Sequence, residues 1–276
     1  MKKIVRKAMW IVFFAAFVFS AMMLLRQWRD NAGGEMTYES AMEIAMHTPK
    51  QETNATEPMT NSTEKTEHDV PDWMPAPVED DPVMEEMVQI NLAALREVNP
   101  DVLGWIRIPD TKVDYPLLQG EDNDFYLQHT WDKTPNSVGS IFMECLNSPD
   151  LTDYNTIIYG HNMNNGSMFG QLQHFALQSH WQEHPYVYIA TDAGVYRYEI
   201  FAFSQPSVES LIYGLNPQRD DTKENFLDLS LENSRIDTGI RPAITDRILT
   251  LSTCSGMDYD YRYVLQARLV MMEVTE

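Results

Sequence analysis

The chain has 276 residues, of which 43% are hydrophobic, and it carries a formal net charge of −21 at pH 7. Six of its twenty lysine and arginine residues lie at or before Arg29, while all forty-one aspartate and glutamate residues follow it. The remainder therefore carries a formal charge of −27. This balance excludes nucleic-acid binding, because phosphate contacts need a basic surface. It is typical of a solvated surface.

The N-terminus predicts a membrane anchor over residues 1–29. Four basic residues among the first seven precede an uncharged, mostly apolar run from Ala8 to Leu25, which Arg26 and Arg29 close. That run is long enough for one membrane-spanning helix. The competing interpretation is a cleaved signal peptide, but the residues around Ala21 match a cleavage site poorly. Denser positive charge before the run favours a cytoplasmic N-terminus, which places the following chain outside the cell membrane.

Residues 30–81 are expected to form a disordered, acidic spacer. The segment is rich in Thr, Glu, Asn and Pro and poor in periodic apolar residues. It cannot bury enough apolar surface to offset its chain entropy, so we expect at most a brief helical turn at Ala41–Met46. The spacer would hold a folded domain, residues 82–276, away from the membrane.

The folded domain is expected to open with a helix and continue as strands. Apolar residues from Met84 to Val98 recur at helical spacing and stop before Pro100, which predicts one amphipathic helix. The period then changes to two, and Asp192–Gly194 is a hairpin signal. Short helices are expected at 124–128, 167–175 and 222–231. The predicted strands are Val102–Ile108, Lys112–Leu118, Ser140–Glu144, Thr156–His161, Tyr186–Thr191, Val195–Phe203, Ile248–Cys254 and Tyr261–Val274. Many short strands with helices in the connections favour a closed or nearly closed, antiparallel-rich β-barrel.

Three residues with complementary chemistry lie at the ends of predicted strands. Cys254 ends one strand, and Arg262 lies eight residues later in the next. Two adjacent antiparallel strands would place the thiol and the guanidinium on neighbouring backbones. His161 ends a third strand far upstream. A thiol, an imidazole and a fixed cation at strand ends indicate nucleophilic acyl chemistry.

Purely structural roles for these residues are alternatives to the catalytic interpretation. Cys254 could be a small buried hydrophobe, although its polar neighbours Ser252 and Thr253 are unusual for a core. It could also pair with Cys145, the only other cysteine, in an oxidising environment, but the context favours free thiols. Ser252 shares a strand face with Cys254, so its hydroxyl is a candidate to help hold an oxyanion. Taken alone, His161 would more often be a surface residue.

Two other patterns are set aside. Arg268 shares a strand face with Arg262 but lies about 20 Å along the strand, too far to serve one site. His180, Glu183 and His184 match the H-x-x-E-H pattern of some zinc peptidases. That chemistry needs both histidines on a helix, and Pro185 limits any helix to the turns just before it. No metal site and no cofactor are therefore expected.

The chain resembles the sortases, and class B in particular. The principal motifs are Thr250–Cys254, Ile158–Met163 and Tyr261–Arg268, with supporting stretches at Leu103–Pro109, Tyr115–Pro116, Asp122–Leu127 and Gly139–Glu144. The opening helix and the long insertion before the cysteine strand also resemble class B. Cys145 is a departure, since relatives more usually have an aromatic residue there. The resemblance covers the whole folded domain and implies a sortase-type β-barrel.

By resemblance, the protein is a membrane-anchored cysteine transpeptidase that cleaves a sorting signal near the C-terminus of exported proteins. Cys254 would be the nucleophile, Arg262 would orient substrate and stabilise the oxyanion, and His161 would exchange protons with the leaving and incoming amines. The incoming amine would belong to a peptidoglycan precursor. Ser252, Thr253 and Asn123 are the secondary site candidates.

Two alternatives belong to different functional classes. An exported cysteine hydrolase of cell-wall peptides would ignore an added amine, whereas a transpeptidase would form an amide with it. A surface adhesin or scaffold that keeps the barrel would not need Cys254 for its function.

Overall fold

Eight β-strands form the centre of the part of the chain described by a computed structural model, which covers residues 2–47, 81–254 and 260–274. They are β1 (Val102–Arg107), β2 (Asp114–Leu118), β3 (Ile141–Met143), β4 (Asn155–Gly160), β5 (Tyr186–Thr191), β6 (Gly194–Ser204), β7 (Ile248–Cys254) and β8 (Arg262–Val274). The strands close into a barrel in the order β1-β2-β3-β4-β7-β8-β6-β5. The predicted barrel and all eight predicted strands are confirmed, with bounds shifted by a few residues at most.

Antiparallel pairs dominate the barrel, as expected, but two neighbouring pairs are parallel. These are β2 with β3 and β4 with β7. Parallel neighbours need a long crossover. Between β4 and β7 that crossover contains β5, β6 and the insertion before the cysteine strand. The barrel interior is filled by apolar side chains from every strand, including Ile158, Leu249 and Leu265. A tightly packed interior holds the strand ends rigidly.

Five α-helices surround the barrel in the described chain: α1 (Lys2–His47), α2 (Pro82–Val88), α3 (Leu92–Val98), α4 (Gln178–Glu183) and α5 (Asp220–Glu232). Single 3₁₀ turns lie at Phe125–Leu127, Leu172–Ala176 and Leu211–Tyr213. The predicted helix at 222–231 is thus α5, whereas those at 124–128 and 167–175 are the first two 3₁₀ turns. The α5 helix covers an apolar cluster against the outside of the barrel that includes Phe226 and Ile248.

The prediction of a single opening helix is wrong, because two short helices occupy that segment. Asp81 caps α2 by accepting from the backbone N–H of Val83. Asn91 then accepts from Ala94 N–H and starts α3. A side-chain cap inside a continuous apolar pattern favours a new helix start over continuation. As a consequence Val98, expected to face the core, is 49% exposed.

The prediction of a disordered spacer is wrong for residues 30–47, because α1 continues to His47. This segment packs on the barrel. Its backbone carbonyl at Thr37 accepts from Trp131 Nε1 at 2.8 Å, and the carbonyl at Ala45 accepts from Asn91 N–H at 2.9 Å. Ala41 and Ala45 are buried against the cluster beneath α2 and α3. Small residues and a tertiary surface stabilise a helix that its own composition does not predict. Residues 48–80 lie outside the described part.

The N-terminal half of α1 meets the requirements for a membrane span. Met9–Met46 is long enough to cross a bilayer, and its most apolar stretch has a mean hydropathy of 2.0, with none of it buried inside the protein. It is the only such helix among the residues that the structure describes. The whole of α1, with its 46 residues, extends about 70 Å, roughly twice the thickness of a bilayer core. One continuous helix therefore links the apolar segment to the barrel surface.

Candidate active site

Three adjacent strands bring the predicted catalytic residues to one end of the barrel. Cys254 at the end of β7 lies directly opposite Arg262 at the start of β8 in the antiparallel register. On the other side of β7, the parallel register pairs Gly160 of β4 with Thr253. His161, one residue beyond β4, is therefore level with Cys254. Neighbouring strands lie about 4.8 Å apart, so three distant parts of the sequence converge here.

A groove runs over this end of the barrel and contains the predicted side chains. It has a volume of about 240 Å³. Its walls are Asn123, Leu127, Phe142, Tyr159, Gly160, His161, Ser252, Thr253 and Arg262. Five of the six predicted site residues thus line one groove. For the sixth, Cys254, the structure describes the backbone position at the end of β7 and not the side chain.

The hydrogen bonding of His161 determines which of its ring nitrogens can exchange a proton. Nε2 lies 2.6 Å from the carbonyl oxygen of Leu127. A carbonyl can only accept, so Nε2 carries a hydrogen and donates it. In the neutral ring Nδ1 is then the basic nitrogen. Such a bond fixes the tautomer and the ring orientation of His161, as a carbonyl often does for functional histidines.

Gly139 packs closely beside the His161 ring. Its φ of +63° lies in the left-handed region, which favours glycine. A Cβ at this position would lie 2.7 Å from His161 Cδ2 and 2.9 Å from the Leu127 carbonyl oxygen. The backbone of residues 127 and 139 therefore confines the Nε2–Cδ2 edge of the imidazole. Sequence analysis missed both contacts because they are made by backbone atoms.

Asn123 is held rigidly by a buried carboxylate. Its Nδ2 donates to both oxygens of Glu144, at 2.7 and 2.8 Å, and its Oδ1 accepts from Cys145 N–H at 2.9 Å. Tyr159 also donates to Glu144, at 2.9 Å. Burial raises the pKa of Glu144, but the hydrogen bonds from Asn123 and Tyr159 outweigh burial and hold that pKa below its ordinary value. An ionised Glu144 therefore stabilises this wall of the groove.

Ser252 and Thr253 differ in the hydrogen bonding of their hydroxyl groups. Both residues are only 2% exposed. The Ser252 hydroxyl forms a 3.0 Å hydrogen bond with the hydroxyl of Tyr213, a residue of the insertion before β7. The Thr253 hydroxyl is buried without a partner among the described residues. Since buried polar groups are normally paired, Thr253 is the better placed of the two to bind a ligand group in the groove.

Arg262 and its competitor Arg268 have different environments. Arg262 is half-buried at the groove and donates through Nη1 to the Tyr261 carbonyl at 2.9 Å. Arg268 instead forms an ion pair with Glu199 at 2.8 Å and lies opposite Ile248, at the other end of β7. The structure therefore separates a groove arginine from a structural one. Cys145 is a free thiol, so the alternative of a disulfide is not realised.

Sequence analysis missed Glu144, Tyr159 and Tyr213. Glu144 directly follows β3, and a carboxylate at a strand end near the other candidates was a signal that could have identified it. Tyr159 immediately precedes Gly160 and His161, but alternation alone does not show that its hydroxyl reaches Glu144. Tyr213 lies in an irregular connection, and no local pattern points to it.

Comparisons with known proteins identify the family. The sortase domain family model matches residues 106–270. A sortase B of Listeria monocytogenes is 36% identical over 187 residues, which are 66% of this chain and 75% of that protein. The chain belongs to the sortase family, in its class B. The protein is therefore a cysteine transpeptidase.

Solved sortase structures support the assignment. Sortase B from B. anthracis superposes with a TM-score of 0.68 at 27% identity, covering 88% of this chain and 99% of that one. A Staphylococcus aureus sortase B–substrate complex has a TM-score of 0.63 at 29% identity, covering 67% of this chain and 86% of the other. These similarities confirm the class B resemblance inferred from the motifs.

Proposed function

We propose that this sortase cleaves a C-terminal sorting signal of exported proteins through an acyl-enzyme on Cys254 and transfers the acyl group to a cell-wall precursor amine. The observation that carries the proposal is the register of β4, β7 and β8. It brings His161 and Arg262, which both line the groove, to either side of the Cys254 backbone.

In the first step the Cys254 thiolate attacks the carbonyl carbon of the scissile peptide bond. The thiolate forms when the Cys254 thiol gives its proton to Nδ1 of His161, which becomes an imidazolium, and the Arg262 cation stabilises it. The carbonyl oxygen becomes an oxyanion that the Arg262 guanidinium faces. Thr253, with its unpartnered hydroxyl, is a second donor in reach of the groove. The carbon–nitrogen bond then breaks, and the leaving amine takes a proton from Nδ1 of His161.

In the second step an incoming amine attacks the thioester. His161, now neutral at Nδ1, accepts a proton from that amine. A new carbon–nitrogen bond forms and the carbon–sulfur bond breaks, which regenerates the thiolate. Nε2 keeps its hydrogen and donates it to the Leu127 carbonyl throughout, so one nitrogen anchors the ring while the other exchanges protons.

A second pocket beside His161 supports the proposal that the incoming amine is bound to the membrane. His161 also lines a second pocket, of about 680 Å³, together with Arg26, Arg29 and Asp30 of α1. These α1 residues directly follow the apolar segment. An imidazole that faces the substrate groove on one side and the membrane end of α1 on the other is suited to receive an acceptor from the membrane. We further propose that the anchor is uncleaved and that the barrel lies on the extracellular side.

Product analysis tests the proposal against the hydrolase alternative. Full-length protein in detergent micelles is incubated with a panel of fluorogenic sorting-signal peptides, with and without a triglycine amine. We expect a new amide product that requires the amine, and no cleavage by Cys254→Ala. Cleavage that proceeds at the same rate and yields only free acid when amine is present would support the hydrolase and contradict transpeptidation.

A second experiment addresses the acceptor route. In vesicles that contain a membrane-bound amine acceptor, Arg26→Gln and Arg29→Gln should lower the rate of coupling, while coupling to soluble triglycine stays unchanged. An equal loss of coupling rate with both acceptors would indicate that these arginines contribute to folding or anchoring instead.

A further inference from the structure

A cluster of ionisable side chains outside the groove has the composition of a metal site. His180, Glu183 and His184 offer one ligand atom each, and these atoms all lie within 4.8 Å of one another. The cluster lies on the connection between β4 and β5, and none of its residues lines the groove. The proposed transpeptidation does not use it.

The secondary structure here agrees with what the sequence pattern indicates. Pro185 was expected to limit any helix to the turns just before it. The α4 helix ends at Glu183, and His184 caps it through backbone bonds to His180 and Trp181. Residues three and four positions apart lie on one helical face, so both imidazoles and the carboxylate converge. The ring centroids of His180 and His184 are 4.4 Å apart.

Two nitrogens in the cluster have no partner in the described chain. His180 Nε2 and His184 Nδ1 are both buried and accept or donate no hydrogen bond. Buried imidazole nitrogens are normally paired, and leaving two unpaired on adjacent rings is costly. A divalent cation between the rings would satisfy both.

A fourth donor is close by. His174, on the 3₁₀ turn before α4, packs its ring perpendicular to that of His180 with centroids 5.6 Å apart. Zinc prefers four nitrogen, sulfur or oxygen ligands in a tetrahedron whose ligand atoms lie roughly 3.3 Å apart. The ligand atoms of His180, Glu183 and His184, which lie within 4.8 Å of one another, would approach by up to about 1.5 Å to reach that value.

We propose that His180, Glu183 and His184 bind a zinc ion, with His174 as the fourth ligand. The ion would tie the 3₁₀ turn at Leu172–Ala176 to α4, and so stabilise the connection that begins at His161. Its role would be structural, because the cluster lies outside the groove.

Metal titration tests this proposal without relying on activity. Untagged full-length Cys254→Ala protein is used, so that the nucleophile cannot bind the metal, and Co²⁺ serves as a spectroscopic probe. We expect one Co²⁺ per chain with visible absorption bands, displacement by Zn²⁺, and a rise in Tm with Zn²⁺. His180→Ala and His184→Ala should each weaken Co²⁺ binding by about tenfold or more. His129→Ala, which alters a histidine stacked on Phe125, is the matched control and should bind like the parent.

Specific outcomes would overturn the proposal. It fails if the parent takes up no Co²⁺ at millimolar concentration, or if the two variants bind it as tightly as the parent. His184→Gln, a milder change, provides the same comparison should an alanine variant unfold. Unchanged affinity in His174→Ala would remove His174 from the ligand set.

A different observation concerns how α1 reaches the active site. Tyr38 donates its hydroxyl hydrogen to the carbonyl oxygen of Gly139 at 2.6 Å, and its oxygen lies 3.0 Å from Ser140 Oγ. Gly139 is the residue whose backbone confines the His161 ring. Tyr38 also packs edge-on against Tyr115 of β2, which fixes its ring. A chain of direct contacts thus leads from the membrane helix to the imidazole.

We infer that Tyr38 is a positioning residue for His161, an inference that rests on the proposed role of His161. Tyr38→Phe in the full-length protein should lower kcat roughly tenfold at unchanged KM and shift the pH–rate limb that depends on His161. Tyr188→Phe is the control, because it removes a comparable hydroxyl bond to Asp81 on the opposite side of the barrel.

Different results would refute the positioning role of Tyr38 and the catalytic role of His161. A kcat and pH profile of Tyr38→Phe that match those of Tyr188→Phe would refute positioning by Tyr38. Retained activity in His161→Ala would instead refute the role of His161 itself.

Discussion

Replacing Gly139 with alanine should damage catalysis far more than stability, because the added methyl group meets the His161 ring. The new Cβ would lie 2.7 Å from His161 Cδ2 and 2.8 Å from the Tyr126 carbonyl oxygen. Ordinary carbon contacts are about 3.5–4.0 Å. The carbonyl belongs to the backbone and yields little, so the ring must move by about 1 Å. A displacement of that size can cost about a hundredfold in rate.

A matched control separates the contact from the backbone strain. Gly239 has nearly the same conformation, with φ of +67°, but a Cβ there would meet nothing within 4 Å. Alanine in the left-handed region costs about 1–2 kcal/mol at either position. Backbone strain should therefore lower the free energy of unfolding by similar amounts in Gly139→Ala and Gly239→Ala. Any additional loss in Gly139→Ala measures the effect of the steric contact.

The assay is the kcat/KM for coupling a sorting-signal peptide to a soluble amine, measured beside urea unfolding. We expect a drop of about a hundredfold for Gly139→Ala and less than about twofold for Gly239→Ala. Equal activity of the two folded variants would refute the reasoning that the 127–139 backbone confines a catalytically required imidazole.

Three further predictions follow from named contacts. Arg262→Lys should reduce single-turnover acylation by about 10²–10³-fold with little change in Tm, since a point ammonium cannot replace a planar fork of donors; near-normal acylation would contradict its role. Asn123→Ala should lower the unfolding free energy by about 1.5–3 kcal/mol near neutral pH, by removing hydrogen bonds to the ionised Glu144. The pKa of Glu144 is depressed in the folded state, so this stabilisation is present above its ordinary pKa and is lost as pH falls through the folded value. Urea midpoints of wild type and variant should therefore converge in acid, and a constant gap would count against this linkage. Finally, a chain that begins at Asp81 should be about 3 kcal/mol less stable than one that begins at Asp30, because it lacks the α1 bonds to Trp131, Asn91 and the Gly139 backbone. Equal urea midpoints would show that α1 contributes nothing to the barrel.

The strands show which elements of the fold can be predicted from local sequence pattern alone. Alternation of apolar and polar residues is a property of neighbouring positions, so β5, β6, β7 and β8 were predicted within a residue or two. The same reasoning joined α2 to α3, because the apolar spacing continues through Asn91 and only the cap bonds reveal the break. It also missed the helical continuation of α1, since Ala41 and Ala45 become a packing face only when the barrel is present.

The candidate site likewise contains residues that the sequence identified and contacts that it did not. Cys254, Arg262 and His161 were identified because each is a chemically distinctive residue at a strand end. Their partners were not, because the Leu127 carbonyl, the Gly139 backbone and the Glu144 carboxylate act through contacts between segments that are remote in the chain.

By itself the sequence determined the apolar N-terminal segment, the strand-rich barrel and the three candidate reactive residues, since these depend on composition, local periodicity and side-chain chemistry. Only the tertiary structure decided that β4 lies parallel beside β7, that α1 runs unbroken onto the barrel, and that Tyr38, Gly139 and His161 are in contact. Closure of a barrel pairs strands that are far apart in the chain, and no local pattern encodes which strands become neighbours.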